Sequence, residues 1–176
     1  MKIPEMNYCM HCGTKLIRRY LKNEGDIPYC TTCQEYRFPV FNTAVSMIIM
    51  NEEEDQILMI RQYGGDEYIL VAGYVNKGED AEDAAIREVR EETGLTVTSV
   101  RFNHSHYFAP SNTLMLNFAV TVKGEVNCNE EVDTWAWFIP EEARINIRKN
   151  SLAKAFLLGW LDGVYNFPEY PAKPYR

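Results

Sequence analysis

Two short cysteine pairs, Cys9-x2-Cys12 and Cys30-x2-Cys33, constrain this 176-residue chain more than any other feature. The pairs are separated by 17 residues. Four thiolates at that spacing can close a tetrahedron around Zn²⁺. Each pair reads as a knuckle turn, and Gly13 suits the unusual backbone such a turn requires. The competing reading is disulfides or separate core thiols. The start, Met1-Lys2-Ile3-Pro4-Glu5, has no apolar signal segment, so secretion is not expected, and disulfides are correspondingly disfavoured. The expected location is cytoplasmic. Four thiolate ligands leave no open position, so the zinc is expected to be structural. His11 lies inside a knuckle that is already full and reads as a surface residue, and Cys128 reads as a plain loop or core thiol.

After the ribbon, the apolar pattern alternates strands with helices. Strands are expected at residues 41–50, 56–63, 68–75, 96–106, 114–123 and 132–138. Gly64-Gly65-Asp66 breaks the chain between the second and third. Residues 80–93 form the best-marked helix, with Ala81, Ala84, Ala85, Ile86 and Val89 as its apolar stripe and Gly94 as its stop. A short helix at 140–144 and a longer one at 151–164 follow. The expected divisions are a zinc ribbon at 1–39, a main α/β domain at 40–165, and a proline-rich tail at 166–176 without regular structure. No apolar run approaches the roughly 20 residues a membrane span needs.

Charge raises a chemical question. The net charge is −7, yet residues 1–40 carry six basic against four acidic side chains, leaving −9 on the rest. An acidic body argues against non-specific nucleic-acid binding. The helix at 80–93 sharpens the point. Glu88, Glu91 and Glu92 stand at i, i+3 and i+4, within an arc of about 100°. Like charges at that spacing destabilise a helix. Glu92 points almost with Ala85 and Val89, toward the packed side, where a carboxylate needs a partner. Arg87 and Arg90 fall on other sides of the wheel. A hard divalent cation with oxygen ligands, Mg²⁺ or Mn²⁺, would neutralise such a group. The bland alternative is a solvated acidic face.

The surrounding residues decide between these. Gly73-x5-Glu79-x7-Arg87-Glu88-Val89-x-Glu91-Glu92-x-Gly94-Leu95 resembles the Nudix box at every defined position over 23 residues. The resemblance implies an α/β/α sandwich around a mixed sheet, and an enzyme that hydrolyses a nucleoside diphosphate linked to another group. It makes Glu88, Glu91 and Glu92 ligands of magnesium or manganese, with the carbonyl at Gly73 or its neighbour completing the set. It makes Glu79 and Arg87 a structural pair. The resemblance leaves the general base to the box or to a later loop, where the bland alternative is a surface charge; in many relatives a glutamate six residues before a tryptophan approaches the metals. Glu131 stands six before Trp137 and is the candidate general base.

A four-cysteine ribbon directly before such a domain resembles the NADH pyrophosphatase group, which includes enzymes that remove NAD caps from RNA. The segment from Ser105 through Leu114-Met115 keeps the ends and length of that group's specificity signature, but most positions between differ. Tyr74, His106, Tyr107 and Phe108 are the candidate base-stacking residues; the bland alternative for Tyr107 and Phe108 is strand-end core. His104 and His106 alternate, so both are expected on one side. The leading expectation is release of AMP and a mononucleotide from NADH, NAD or a related dinucleotide. The alternatives are ADP-ribose, a nucleoside triphosphate or a sugar nucleotide, and, in another class, a nucleotide-binding regulator without catalysis. The expected partner is a small nucleotide. Relatives are commonly homodimers, although the sequence itself does not fix the oligomer. The weakly basic ribbon does not establish RNA as a substrate.

Overall fold

A computed structural model describes residues 6–169, so the outermost ends of the ribbon and tail, 1–5 and 170–176, lie outside the described residues. β1 (Ile17–Leu21), β2 (Gly25–Cys30) and β3 (Glu35–Tyr36) form an antiparallel sheet. Most of its strand residues are exposed or half-buried, and Cys9 and Cys30 are the buried apolar residues here. A unit this small cannot stabilise itself by apolar burial and needs a staple.

The main domain is built on β4 (Asn42–Met50), β5 (Ile57–Gln62), β6 (Val71–Tyr74), β7 (Thr96–Phe108), β8 (Thr113–Lys123) and β9 (Val132–Phe138). The strand order is β7-β8-β4-β5-β9, with β6 also paired to β4. β4 and β8 are parallel and the other pairs antiparallel, so the sheet is mixed. α1 (Ala81–Thr93) covers one face; α2 (Pro140–Asn146) and α3 (Leu152–Asp162) cover the other. β4 is apolar from Ala44 to Met50 except at Ser46, because both its faces are buried. Val45, Met47 and Ile49 join Ala84, Ala85 and Val89 of α1, while Ile48 and Met50 join Ala143, Phe156 and Leu157 of α2 and α3. The result is the expected α/β/α sandwich. No helix among the described residues is long and apolar enough to cross a membrane.

Two departures from the expected strands shape the site. Residues 68–75 do not make one continuous strand. Ile69 bridges to Ile60 beside β5, and only Val71–Tyr74 forms a ladder, with β4. β4 therefore shares one edge between two partners: Ile49 and Met50 pair with β5, and Ala44 to Met47 pair with β6. The other departure is in β7, whose 13 residues pair with the 11 of β8 through two register shifts. The second lies between Phe102 and His104. Phe102 packs edge-on against Phe118 on the α1 face, and beyond the bulge His104 and His106 both turn to the α3 face. Without the extra residue, period-2 alternation would put Phe102 and His104 on one side.

Candidate active site

The four cysteine sulfurs lie within 4.8 Å of one another. Cys12 and Cys30 are 3.4 Å apart and Cys9 and Cys33 3.9 Å, far longer than a disulfide bond. Ligands at about 2.3 Å on a tetrahedron would be about 3.8 Å apart, so the quartet fits zinc. Arg37 Nε donates to Cys9 Sγ at 3.2 Å, and this bond draws the Cys9 thiol down to about 5. Zinc needs the thiolate form, so an arginine beside the ligand favours the metal-ready state.

α1 supplies the acidic centre. Its first turn carries Glu82 and Asp83, which favour the helix N-terminus, and Gly94 closes it with a left-handed φ of 71°. The carbonyls of its last turn have no partners within the helix. Asn127 donates its backbone N–H to Thr93 O at 2.8 Å and Asn129 to Glu92 O at 3.2 Å. This docks the segment before β9 on the helix end and brings Glu131 near enough for its charge to act on Glu92. Tyr63 Oη then donates to Glu131 Oε2 at 2.9 Å, and Gly64 N–H to Asp133 Oδ2 at 2.7 Å.

Glu92 is 4% exposed, as its place on the wheel implied. Burial first, then the charges of Glu88 and Glu131, pushes its carboxyl up to about 8. Gln62 Nε2 donates to it at 2.7 Å and partly opposes that shift. Glu88 lies directly over β6: a Cβ at Gly73 would fall 2.0 Å from Glu88 Cδ. Glycine is there because the carboxylate takes the space a side chain would need.

The arginine geometry agrees with the wheel in leaving one of the three glutamates without an arginine partner. Arg87 reaches the other two. It donates Nε and Nη2 to the two oxygens of Glu79 at 2.7 and 3.0 Å, and Nη1 to Glu88 at 2.7 Å and Glu91 at 3.0 Å. Arg87 and Glu91 stand at i and i+4, one turn apart on the same side of the helix. Arg87 and Glu79 thus form a bidentate pair, and Glu79 is drawn down to about 2 by that bond and by the Asn76 N–H. Arg87 Nη1 thus stands between the carboxylates of Glu88 and Glu91. Glu92 receives none of this guanidinium's donors. Its buried, cation-poor carboxylate, beside the hard oxygens of Glu88 and the Gly73 region, suits a divalent cation.

On the α3 face, a cavity of about 310 Å³ opens beside β6 and the start of α3. Ser46, Leu70, Ala72, Phe108, Met115 and Phe156 line it, with Arg148 among its other wall residues. Tyr74 shares this sheet face by register, opposite Ala44, and is exposed. The structure therefore brings Phe108 and Tyr74 to one face of the sheet. His106 is on that face too, but it is covered by Phe167, whose ring stacks 3.9 Å away at 12°. Burial and neighbouring His104 lower its pKa. Tyr107 faces the other way, against Phe41, with its hydroxyl donated to Asn112 Oδ1 at 2.6 Å. Tyr107 thus sits apart from its three companions. Cys128 lies half-buried in the docking segment, its thiol pushed up by burial and then by Glu92.

Sequence reasoning missed Gln62, Tyr63 and Ser46. Each enters the site from a strand or strand end distant from the box, with no local motif to mark it.

Comparison with known proteins supplies the family. The NUDIX domain model matches residues 40–158. The chain is 30% identical over 135 residues to the NAD-capped RNA hydrolase NudC of Pseudomonas aeruginosa, covering 74% of this chain and 47% of that one. It is 29% identical over 155 residues to the protein of the same name from Photobacterium profundum, covering 86% and 56%. The chain therefore spans about half the length of these curated relatives. A NUDIX hydrolase from Nitrosomonas europaea shares the fold with a TM-score of 0.62 at 19% identity, over 92% of this chain and 96% of that one. With the box intact, the sandwich formed and the family model covering residues 40–158, this chain belongs to the NUDIX domain family.

Proposed function

We propose that the protein is a cytoplasmic, metal-dependent hydrolase of the pyrophosphate bond in NADH, NAD or a related dinucleotide. Its products would be AMP and a mononucleotide. The observation that carries this reading is geometric. A glycine strand lies pressed under Glu88, next to the buried Glu92, and an aromatic-walled cavity opens on the other face of the same strand. Glu88, Glu91, Glu92 and the carbonyl at Gly73 would hold Mg²⁺ or Mn²⁺. Bound there, the cation would polarise a phosphoryl oxygen and acidify a coordinated water.

The chain's own groups supply the rest. Glu131 accepts the proton as water oxygen bonds to phosphorus and the bridging P–O bond breaks; general-base help of this kind is worth about 10²- to 10⁴-fold. Tyr63 orients Glu131 through its hydroxyl. Arg87 holds the loop carrying Glu79 to the helix. Phe108 and Tyr74 offer apolar rings to a base, and stacking of that kind contributes about 1–3 kcal/mol per base. The NudC names of the relatives favour an NAD-type substrate over the alternatives. Zn²⁺ in the ribbon has a structural role, and the division at residues 39/40 and 165/166 separates ribbon, catalytic domain and tail.

Chromatographic product analysis tests the reading. NADH, NAD, ADP-ribose and nucleoside triphosphates are offered in parallel with Mg²⁺ or Mn²⁺. The expected result is AMP and reduced nicotinamide mononucleotide from NADH, with Glu91→Gln slower by about 10²-fold or more. Preferential cleavage of another substrate would discard the dinucleotide assignment, and binding without cleavage would favour a regulator.

A further inference from the structure

We propose that Ser46 is a specificity-determining residue: its hydroxyl donates a hydrogen bond to an acceptor on the edge of a heteroaromatic ring bound in the α3-side cavity. This rests on the reading of that cavity as the substrate's ring pocket.

The argument begins in the bulge of β7. Asn103, the residue the bulge accommodates, directs its amide inward. Its Nδ2 donates to Phe156 O at 3.1 Å and to Asn117 Oδ1 at 2.8 Å, while its Oδ1 accepts from Tyr165 Oη at 2.5 Å. Asn117 is fully buried, and its Nδ2 donates to Ser46 O at 3.0 Å and Ser46 Oγ at 2.7 Å. Both ends of this chain of bonds are backbone carbonyls, which can only accept. Neither amide can therefore be turned over without setting an oxygen against a carbonyl. Donors run one way along the network, and Ser46 Oγ must accept from Asn117.

That fixes what Ser46 has left to offer. A hydroxyl has one donor and two acceptor sites. One acceptor site is taken by Asn117, and no described residue accepts the Ser46 proton. Ser46 is 4% exposed yet lines the cavity together with the apolar Leu70, Ala72, Met115 and Phe156; the uncharged polar side chains elsewhere on its wall are Asn150 and Ser151, and the Ser151 hydroxyl donates to Arg148 O. A buried donor without an acceptor is costly. A ring presenting a carbonyl oxygen or an unprotonated ring nitrogen would satisfy it. A purely apolar ring, or one presenting only N–H groups, would not. The remote Tyr165 and Asn103 act as positioning residues, since they hold the amides in the orientation that leaves the serine a donor.

The test measures binding by titration calorimetry without divalent metal, using AMP, nicotinamide mononucleotide and, as the ring-free control, ribose 5-phosphate. Ser46→Ala should fold, because Asn117 keeps its bond to the carbonyl of residue 46, and its melting temperature checks this. The expected result is a loss of about three- to tenfold in affinity for at least one ring-bearing mononucleotide, the ordinary worth of one hydrogen bond. Ribose 5-phosphate should be unaffected. Equal affinity of wild type and Ser46→Ala for both mononucleotides overturns the proposal. So does failure of both to bind the wild type, or an equal loss for ribose 5-phosphate. NADH hydrolysis is followed separately in the same preparations. A ring affinity that depends on Ser46 in a protein that does not cleave NADH would support the donor role while discarding the dinucleotide substrate.

Discussion

Replacing Gly73 with alanine should separate stability from catalysis. The added Cβ would sit 2.0 Å from Glu88 Cδ and 2.1 and 2.3 Å from its two oxygens. Ordinary contact begins near 3.4 Å, so the carboxylate must retreat by about 1.4 Å. Gly73 is not in the left-handed region, so alanine adopts the backbone without strain. Two small effects then act on stability. The Glu88–Arg87 pair is weakened, which costs about 0–1 kcal/mol for a partly exposed ion pair. Arg87 keeps both bonds to Glu79. Alanine for glycine returns about 0.4–1 kcal/mol by restricting the unfolded chain. The net change should stay within about 1 kcal/mol, or a Tm shift of about 4 °C or less. Catalysis has no such compensation, because a displacement of about 1 Å at a reacting centre costs about 10²-fold. The assay is kcat/KM for the best substrate of the panel, beside thermal melting. Wild-type kcat/KM in Gly73→Ala would refute the claim that Glu88 needs this approach to β6. Gross unfolding would refute the claim that the contact is catalytic rather than architectural.

Three further outcomes follow from other contacts. The ribbon should bind one zinc per chain, and stripping it with a strong chelator should expose residues 9–37 to protease while the main sheet resists; equal resistance with and without metal would remove zinc's structural role. At Gly159 a Cβ would fall 2.1 Å from the Tyr165 ring, so Gly159→Ala should displace Tyr165 from Asn103 and His104 and destabilise by about 1–3 kcal/mol in urea unfolding; an unchanged midpoint would show that the ring can yield freely. Glu79 has a folded pKa of about 2 against an ordinary 4.5, so its contribution is present above about 4.5 and is lost as pH falls toward 2. The stability gap between wild type and Glu79→Gln should therefore shrink across that window, and a gap independent of pH would contradict the ion-pair account.

Much of the fold was legible because local signals agreed with the global structure. Residues 80–93 carried an apolar stripe, acidic first turn and terminal glycine together, and the helix ends at Thr93 before Gly94. The cysteine spacing likewise implied a cluster that the fold assembles. What stayed hidden depended on partners distant in sequence. Nothing near Gln62 marks it as the neighbour of Glu92. The 68–75 run is uniformly apolar, so its change of partner from β5 to β4 leaves no trace in periodicity. The wheel left Glu92 without an arginine partner, as observed, but it could not show that Arg87 reaches the Tyr74 carbonyl outside the helix. His106 looked like an open stacking surface because the sequence cannot say where Phe167 will lie.

The change of partner also bears on how one strand would serve two chemistries on the proposed reading. In β6, Val71 and Gly73 face α1, while Ala72 and Tyr74 face α3. The acidic centre and the ring cavity thus lie back to back across four residues of backbone. On the proposed reading, a dinucleotide with its ring in the cavity must carry its pyrophosphate around the end of β6 to reach Glu88 and Glu92. That end is fixed: Tyr74 O accepts from Arg87 Nη2 at 3.0 Å, and the same guanidinium holds Glu79, Glu88 and Glu91. Arg87 therefore ties the rim of the ring pocket to the acidic helix. On that reading, the change of partner that the strand pattern did not show sets the ring cavity and the acidic centre on opposite faces of one short strand.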